Sequence, residues 1–454
     1  MRHAVLTVIL ALVSALACAN LSIDNLQAGD LVRYPVVILR GQAEGPEMAV
    51  GTTWKNAVRF SVTNHRYAAI VELKPGMNML LLHSGSETMK FRVDYKPITN
   101  PYRVLAVYIT SSDGQNSYYS TNPHDKYPIR EKLDLALKLI QGYTADSMCR
   151  AGYGPKTFSL ELDKEGKVVV HFVRSPKSAA ELRALDSDAL NRHVHDVLKQ
   201  ELPEDKTKWC GILGFSDYDP IAKKAVGQIA IGSGCQALLG SASMQFWPNN
   251  LSEIPKVFGN STLIDPSKTC DNSNSRRSVW ANVSTAYGEI LHELGHTFDL
   301  PQSPDRFSLM SRGFDFFSRS ITSLEGPCDG HPQPTFFKDD ELAHWDPFFA
   351  ACLNYNPWFQ ADAGSDSSGD AASSPSIKFE GDDVVIDAPL GIRVVGTQEE
   401  TIPSWFIEYK NGDPPKRLKL SRNDLRSKMQ GTKLPFQIVV IDDRGQRFQI
   451  DESL

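Results

Sequence analysis

The chain has 454 residues, 41% apolar and 22% charged, with a formal net charge of -6. That length asks for two or three domains, and that composition describes a soluble globular protein with ample core material. An acidic balance without a Lys/Arg run excludes a nucleic-acid surface.

The first residues, MRHAVLTVILALVSALACAN, set Arg2 and His3 ahead of the apolar run Ala4 to Leu16. Ala15-Leu16-Ala17 and Ala17-Cys18-Ala19 are small-x-small cleavage patterns. They predict a signal peptide over 1–19 and a secreted, extracellular chain with no membrane span after its removal. Cys149, Cys210, Cys235, Cys270, Cys328 and Cys352 then remain, an even number that an oxidising compartment permits to form three disulfides. Asn250, Asn260 and Asn282 head N-glycosylation tripeptides, with Asn20 a weaker fourth, so a eukaryotic host implies a glycoprotein.

Residues 22–100 hold strand-like runs such as LVRYPVVILRG and YAAIVELKPG between Gly, Pro and Asn turns, which predicts an N-terminal β-sandwich. Residues 101–358 turn to mixed α/β. Strands are expected at Arg103 to Thr110, Lys167 to Val173, Trp209 to Phe215 and Gln228 to Ile231. Helices are expected at Ile129 to Tyr143 and Ala179 to Leu202. His193 and His195 lie on the second helix two apart, facing different sides, so a metal shared between them is not expected. A Ser/Gly/Ala/Asp-rich flexible linker covers 359–375, and 376–454 again alternates as an all-β domain, suited to glycan or protein contacts. The fold class is therefore α+β: a zincin-like mixed α/β catalytic domain over 101–358 flanked by two β-domains.

The chemistry concentrates in His292-Glu293-Leu294-Gly295-His296, an H-E-x-x-H run. A chain of this composition carries that pattern by chance only about 0.01 times. Ala286, Tyr287, Ile290, Leu291, Leu294 and Phe298 follow helical spacing, and residues four apart share a helix face, so His292 and His296 can hold one Zn2+ ion. Glu293, one step round, is placed to take a proton from a zinc-activated water and return it to the leaving amine. The bland reading is a core helix with two surface histidines.

Catalytic zinc takes a third protein ligand. In the metzincin pattern H-E-x-x-H-x-x-G-x-x-H the glycine position is Asp299 here, and the third-histidine position is Gln302. Gln302 offers a carboxamide oxygen, a weaker donor than imidazole, so metal occupancy is the vulnerable quantity. Asp305 is an alternative third ligand, or else a solvated loop carboxylate; Glu325, Glu341 and His344 are more distant options. Met310 is a Met-turn candidate, or else an ordinary core methionine.

The stretches DNSNSRRSVWANVSTAYGEILHELGHTFDL, IGSGCQALLGSASMQFWP, LMSRGFDFF and HWDPFFAACLNYNPWF resemble a zinc metallopeptidase family of fungi and invertebrates, over most of the mature chain. The resemblance implies a metzincin-like site, with His292, Glu293 and His296 matching the pattern and Gln302 replacing its third histidine. Two functions are in contention. One is a secreted zinc metallopeptidase acting on a protein or peptide substrate, with an antiparallel edge strand beside the cleft to pair with it. The alternative is a catalytically inactive relative serving as a secreted binding protein.

Overall fold

The computed structural model describes residues 21–114, 117–362, 374–399, 402–429 and 436–451. The expected signal peptide, Asn20 and residues 363–373 of the expected linker lie outside them.

The N-terminal segment forms one seven-stranded sheet in the spatial order Leu31–Val32, Glu87–Tyr95, Gly76–Ser84, Glu47–Gly51, Val58–Thr63, Arg66–Glu72, Val36–Gln42. Strand Val58–Thr63 joins its two halves. Its first residues pair with Glu47–Gly51, and Val62 and Thr63 pair with Tyr67 and Arg66.

A five-stranded sheet follows, ordered Ala230–Ser233, Gln236–Gly240, Thr207–Leu213, Arg103–Thr110, Val170–Arg174. All pairings are parallel except the outermost, where Ala230–Ser233 runs antiparallel to Gln236–Gly240. Side chains alternate across the sheet. Val104, Ala106, Tyr108, Cys210 and Ile212 face helices Ile129–Arg150 and Val279–Thr297, whereas Leu105, Val107, Ile109, Trp209 and Leu213 face Leu190, Val194 and Leu198 of helix Ser187–Glu201.

The predicted helix Ala179 to Leu202 is two helices, Ala179–Arg183 and Ser187–Glu201. Asp186 breaks it, because its carboxylate accepts from Ala189 N at 2.7 Å and caps a new helix. Strand Gln236–Gly240 was not expected.

The N-terminal sheet and the α/β unit that follows it share one apolar core, running from Val36, Ile38 and Ile70 through Leu137 and Ile140 to Leu291 and Leu294. Gly142 permits it: a Cβ there would lie 3.2 Å from the Val36 carbonyl carbon, so only a bare backbone lets strand and helix meet. Beside that contact Arg40 binds Asp146 at 2.8 Å and 3.1 Å.

The C-terminal segment has a three-stranded and a four-stranded sheet around Val384, Ile386, Val395, Ile438 and Val440. It departs from the all-β expectation by one short helix, Arg422–Lys428.

The six cysteines considered for disulfides are all free. Cys210 lies inside a strand and Cys352 inside helix Pro347–Tyr355, both packed among apolar side chains. Asn282 is fully buried on the central helix and donates to the Cys270 carbonyl at 3.0 Å, which removes it as a glycosylation acceptor in the folded chain.

Candidate metal centre

Helix Val279–Thr297 buries Ala286, Ile290, Leu291 and Leu294 in the core, and its polar face carries the histidines. The ligand atoms of His292, Glu293 and His296 all lie within 4.8 Å of one another.

Both imidazoles are pinned from behind. His292 Nδ1 lies 2.7 Å from the Leu309 carbonyl, and His296 Nδ1 lies 2.8 Å from the Leu300 carbonyl. A carbonyl only accepts, so each Nδ1 carries the proton and each Nε2 is left as a bare lone pair. Those two Nε2 atoms face one another at 3.2 Å. Burial presses the His292 pKa down to about 4 and lowers that of His296, so neither ring readily supplies a bridging proton. Two converging acceptors repel unless a cation joins them. Zinc–nitrogen bonds of about 2.0–2.1 Å at tetrahedral angles place two nitrogens roughly 3.3 Å apart, so the pair fits that ion.

Gln302 comes back to the same point, its carboxamide 3.1 Å from His296 Nε2. Nitrogen and oxygen of an amide exchange by rotation about its terminal bond, which turns Oε1 inward as a third donor. The return is made possible by Asp299, which ends the helix at φ 64. That is the left-handed conformation a glycine provides, and aspartate is among the few other residues that tolerate it.

Asp305 is not brought to the cluster. Its Oδ1 accepts from Phe307 N at 2.8 Å, and its Oδ2 pairs with His344 Nε2 at 3.1 Å. The distant options are likewise engaged elsewhere. Glu325 makes two 3.0 Å contacts with Arg319, and Glu341 accepts from Lys338 N at 2.8 Å.

Met310 is fully buried under the helix. Gly295 leaves room for it: a Cβ there would collide with Met310 Sδ and lie 3.1 Å from its Cε. The turn that seats Met310 also presents the Leu309 carbonyl to His292, so one short segment supports the metal helix from below and orients its first histidine.

Glu293 is 7% exposed. Burial pushes its carboxyl up to about 7, opposed by a hydrogen bond from the Gly232 backbone N–H. Gly232 belongs to the antiparallel edge strand Ala230–Ser233, and a Cβ there would sit 2.7 Å from the Glu293 carbonyl carbon. Strand and helix are thus in backbone contact. Gly240 N donates to Ile229 O, so by antiparallel alternation the N–H and C=O groups of Ala230 and Gly232 point outward from the sheet edge.

Several participants escaped the sequence. The carbonyls of Leu300 and Leu309 and the N–H of Gly232 are backbone groups with no residue signature. Glu289 had one: it stands one turn before Glu293, burial pushes it up to about 8, and Asn272 Nδ2 donates to it at 2.5 Å.

A family model, Metallopep, described as "Putative peptidase family", matches residues 20–392. A Schizosaccharomyces pombe protein named "Putative zinc metalloproteinase" is 28% identical over 344 residues, covering 68% of this chain and 55% of its own length. A Saccharomyces cerevisiae protein with the same descriptive name is 22% identical over 385 residues, covering 75% of this chain and 55% of its own length. The chain thus spans 55% of the length of each of these relatives. Among solved structures, OgpA from Akkermansia muciniphila superposes with a TM-score of 0.46 at 17% identity, over 79% of this chain and 95% of that one.

Proposed function

The chain belongs to the Metallopep family, and on that premise we propose that it is a zinc-dependent peptidase whose site is His292, Glu293, His296 and Gln302. The observation that carries the reading is the pair of bare Nε2 lone pairs 3.2 Å apart, with a buried carboxyl alongside. His292 and His296 would hold the ion, with the Gln302 carboxamide as third donor. When bound, zinc supplies a Lewis acid that polarises a peptide carbonyl and makes water acidic near neutral pH.

The remaining work falls to the chain. Glu293, a buried carboxyl beside the paired imidazoles, is placed to take a proton from water and give it to the departing amine. The Gly232 N–H holds that carboxyl in place. The outward N–H and C=O of Ala230 and the C=O of Gly232 offer an extended peptide a strand to pair with, which would lay its scissile bond across the helix.

The test uses the full chain, stripped of metal by a chelator. Zinc binding at this site, read as the difference between the unmutated chain and His292→Ala/His296→Ala, should be about one ion. Glu293→Gln should keep the ion and lose about 10²–10⁴-fold in cleavage of an unfolded protein substrate. No zinc difference between the two chains, or undiminished cleavage by Glu293→Gln, refutes the proposal. The inactive-relative reading rests on the weak Gln302 donor. It gains if the unmutated chain binds zinc without turnover and Gln302→His produces cleavage.

A further inference from the structure

A second constellation lies at the hairpin turn that ends the edge strand, three residues beyond Gly232. His195 is on helix Ser187–Glu201, Glu204 is in the loop that follows, and Cys235 is at the tip of the hairpin joining Ala230–Ser233 to Gln236–Gly240. One nitrogen, one carboxylate oxygen and one sulfur from these residues all lie within 4.8 Å of one another. We propose that His195, Glu204 and Cys235 bind a zinc-type divalent cation that clamps the hairpin bordering the cleft.

The geometry is near that of a loaded site. His195 Nε2 and Glu204 Oε1 are 3.2 Å apart, against roughly 3.3 Å expected between N and O ligands of tetrahedral zinc. A mixed N, O and S donor set favours zinc over the hard cations magnesium and calcium, which take oxygen. Three protein ligands leave the fourth position to water. Glu204 and His195 are about half and a third exposed, so a cation from solvent can reach them.

Cys235 is held in place by its surroundings. Gly234 at φ 57 makes the two-residue turn between Ser233 and Gln236. The Cys235 carbonyl accepts from Trp209 N at 2.7 Å, and the buried Trp209 ring lies 5.7 Å from the His195 ring. Lys208 stands nearby, its ammonium donating to Gly234 O at 3.2 Å and sitting 4.7 Å over Trp358. Binding would release the thiol proton to solvent, so the thiolate and the Glu204 carboxylate together balance a dication. His193 takes no part, because its Nε2 bonds Ser175 Oγ at 2.9 Å. The partners of His195 thus come from the loop just after its own helix and from a separate hairpin.

The consequence reaches the cleft through the hairpin. Its outer strand carries Gly232, whose N–H holds Glu293. An ion at the tip restrains that strand without touching the His292 site, so this inference stands whether or not the peptidase reading does.

The test uses the full chain carrying His292→Ala and His296→Ala, loaded with cobalt(II). One cobalt per chain with a near-ultraviolet thiolate-to-cobalt band is expected. Adding Cys235→Ser should abolish the band, and His195→Ala or Glu204→Gln should each weaken binding at least about 10-fold. A second readout needs no substitution: zinc should protect Cys235 from alkylation in the natural chain while leaving the exposed Cys149 reactive. Zinc should also slow amide exchange at 230–238. Absence of the band, its persistence in Cys235→Ser, or equal labelling of Cys235 with and without zinc overturns the proposal and leaves only an ion pair between His195 and Glu204.

Discussion

Gly295→Ala tests the link between the metal helix and the turn beneath it. In an unobstructed helix this change stabilises by about 1 kcal/mol, since alanine loses less freedom on folding. Here the added methyl would collide with Met310 Sδ and stand 3.1 Å from Met310 Cε and 3.4 Å from Trp345 Cζ3. Carbon contacts relax at about 3.5–4.0 Å. Met310 is fully buried, so its side chain has little free space to turn into and the segment that carries it is pushed outward. Overpacking of this kind costs about 1–3 kcal/mol, which outweighs the helix gain or just cancels it. The retreat also draws the Leu309 carbonyl from its 2.7 Å contact with His292 Nδ1, and loss of such a supporting bond lowers metal affinity by about 10–100-fold. Zinc affinity from competition with a chromophoric chelator, and denaturant unfolding in excess chelator, separate the two effects. A variant that is more stable than the natural chain and binds zinc equally well would refute the placement of Met310 against Gly295.

Three further outcomes are expected. Gly232→Ala puts a methyl 2.7 Å from the Glu293 carbonyl carbon. Backbone on both sides has nowhere to go, so the edge strand should lift and cleavage should fall about 10²-fold; unchanged turnover counts against the strand–helix contact. Glu289→Gln should change how stability depends on pH. The folded chain keeps a proton on Glu289 up to about 8, whereas the unfolded carboxyl loses its own near 4.5. The contribution of Glu289 to stability therefore falls as pH rises through that window, and the advantage of the variant in melting temperature should widen between those limits. A constant difference sinks the assignment. Asp299→Gly relieves a left-handed residue and should raise stability by up to about 1 kcal/mol with zinc affinity unchanged; a loss of stability in urea unfolding would show that the Asp299 side chain matters more than its backbone.

The site was legible where its chemistry follows helix periodicity. His292, Glu293 and His296 announce themselves because a fixed spacing of four can be read directly from the chain, and the mixed α+β character follows from the switch between alternating and helical patterns. What stayed hidden depends on contacts between distant segments. Cys235 is remote from His195, and only the fold makes it a neighbour of His195 and Glu204. Asp186 looks like any exposed acid until its cap on Ala189 is seen. Asp299 reads as a departure from the glycine pattern, yet its φ of 64 performs the same turn. An even cysteine count invited disulfides, but in-strand and in-helix positions hold Cys210 and Cys352 as small apolar fillers.

The contact of Gly142 with Val36 makes the opening sheet a wall of the α/β body rather than an appendage. A fragment cut to begin at 101 would bare the apolar flank of helix Ile129–Arg150 to water and leave Asp146 without Arg40. Such a fragment should clump on expression, so trimming this protein to helix Val279–Thr297 and the nearest strands is the wrong route to a minimal folded unit.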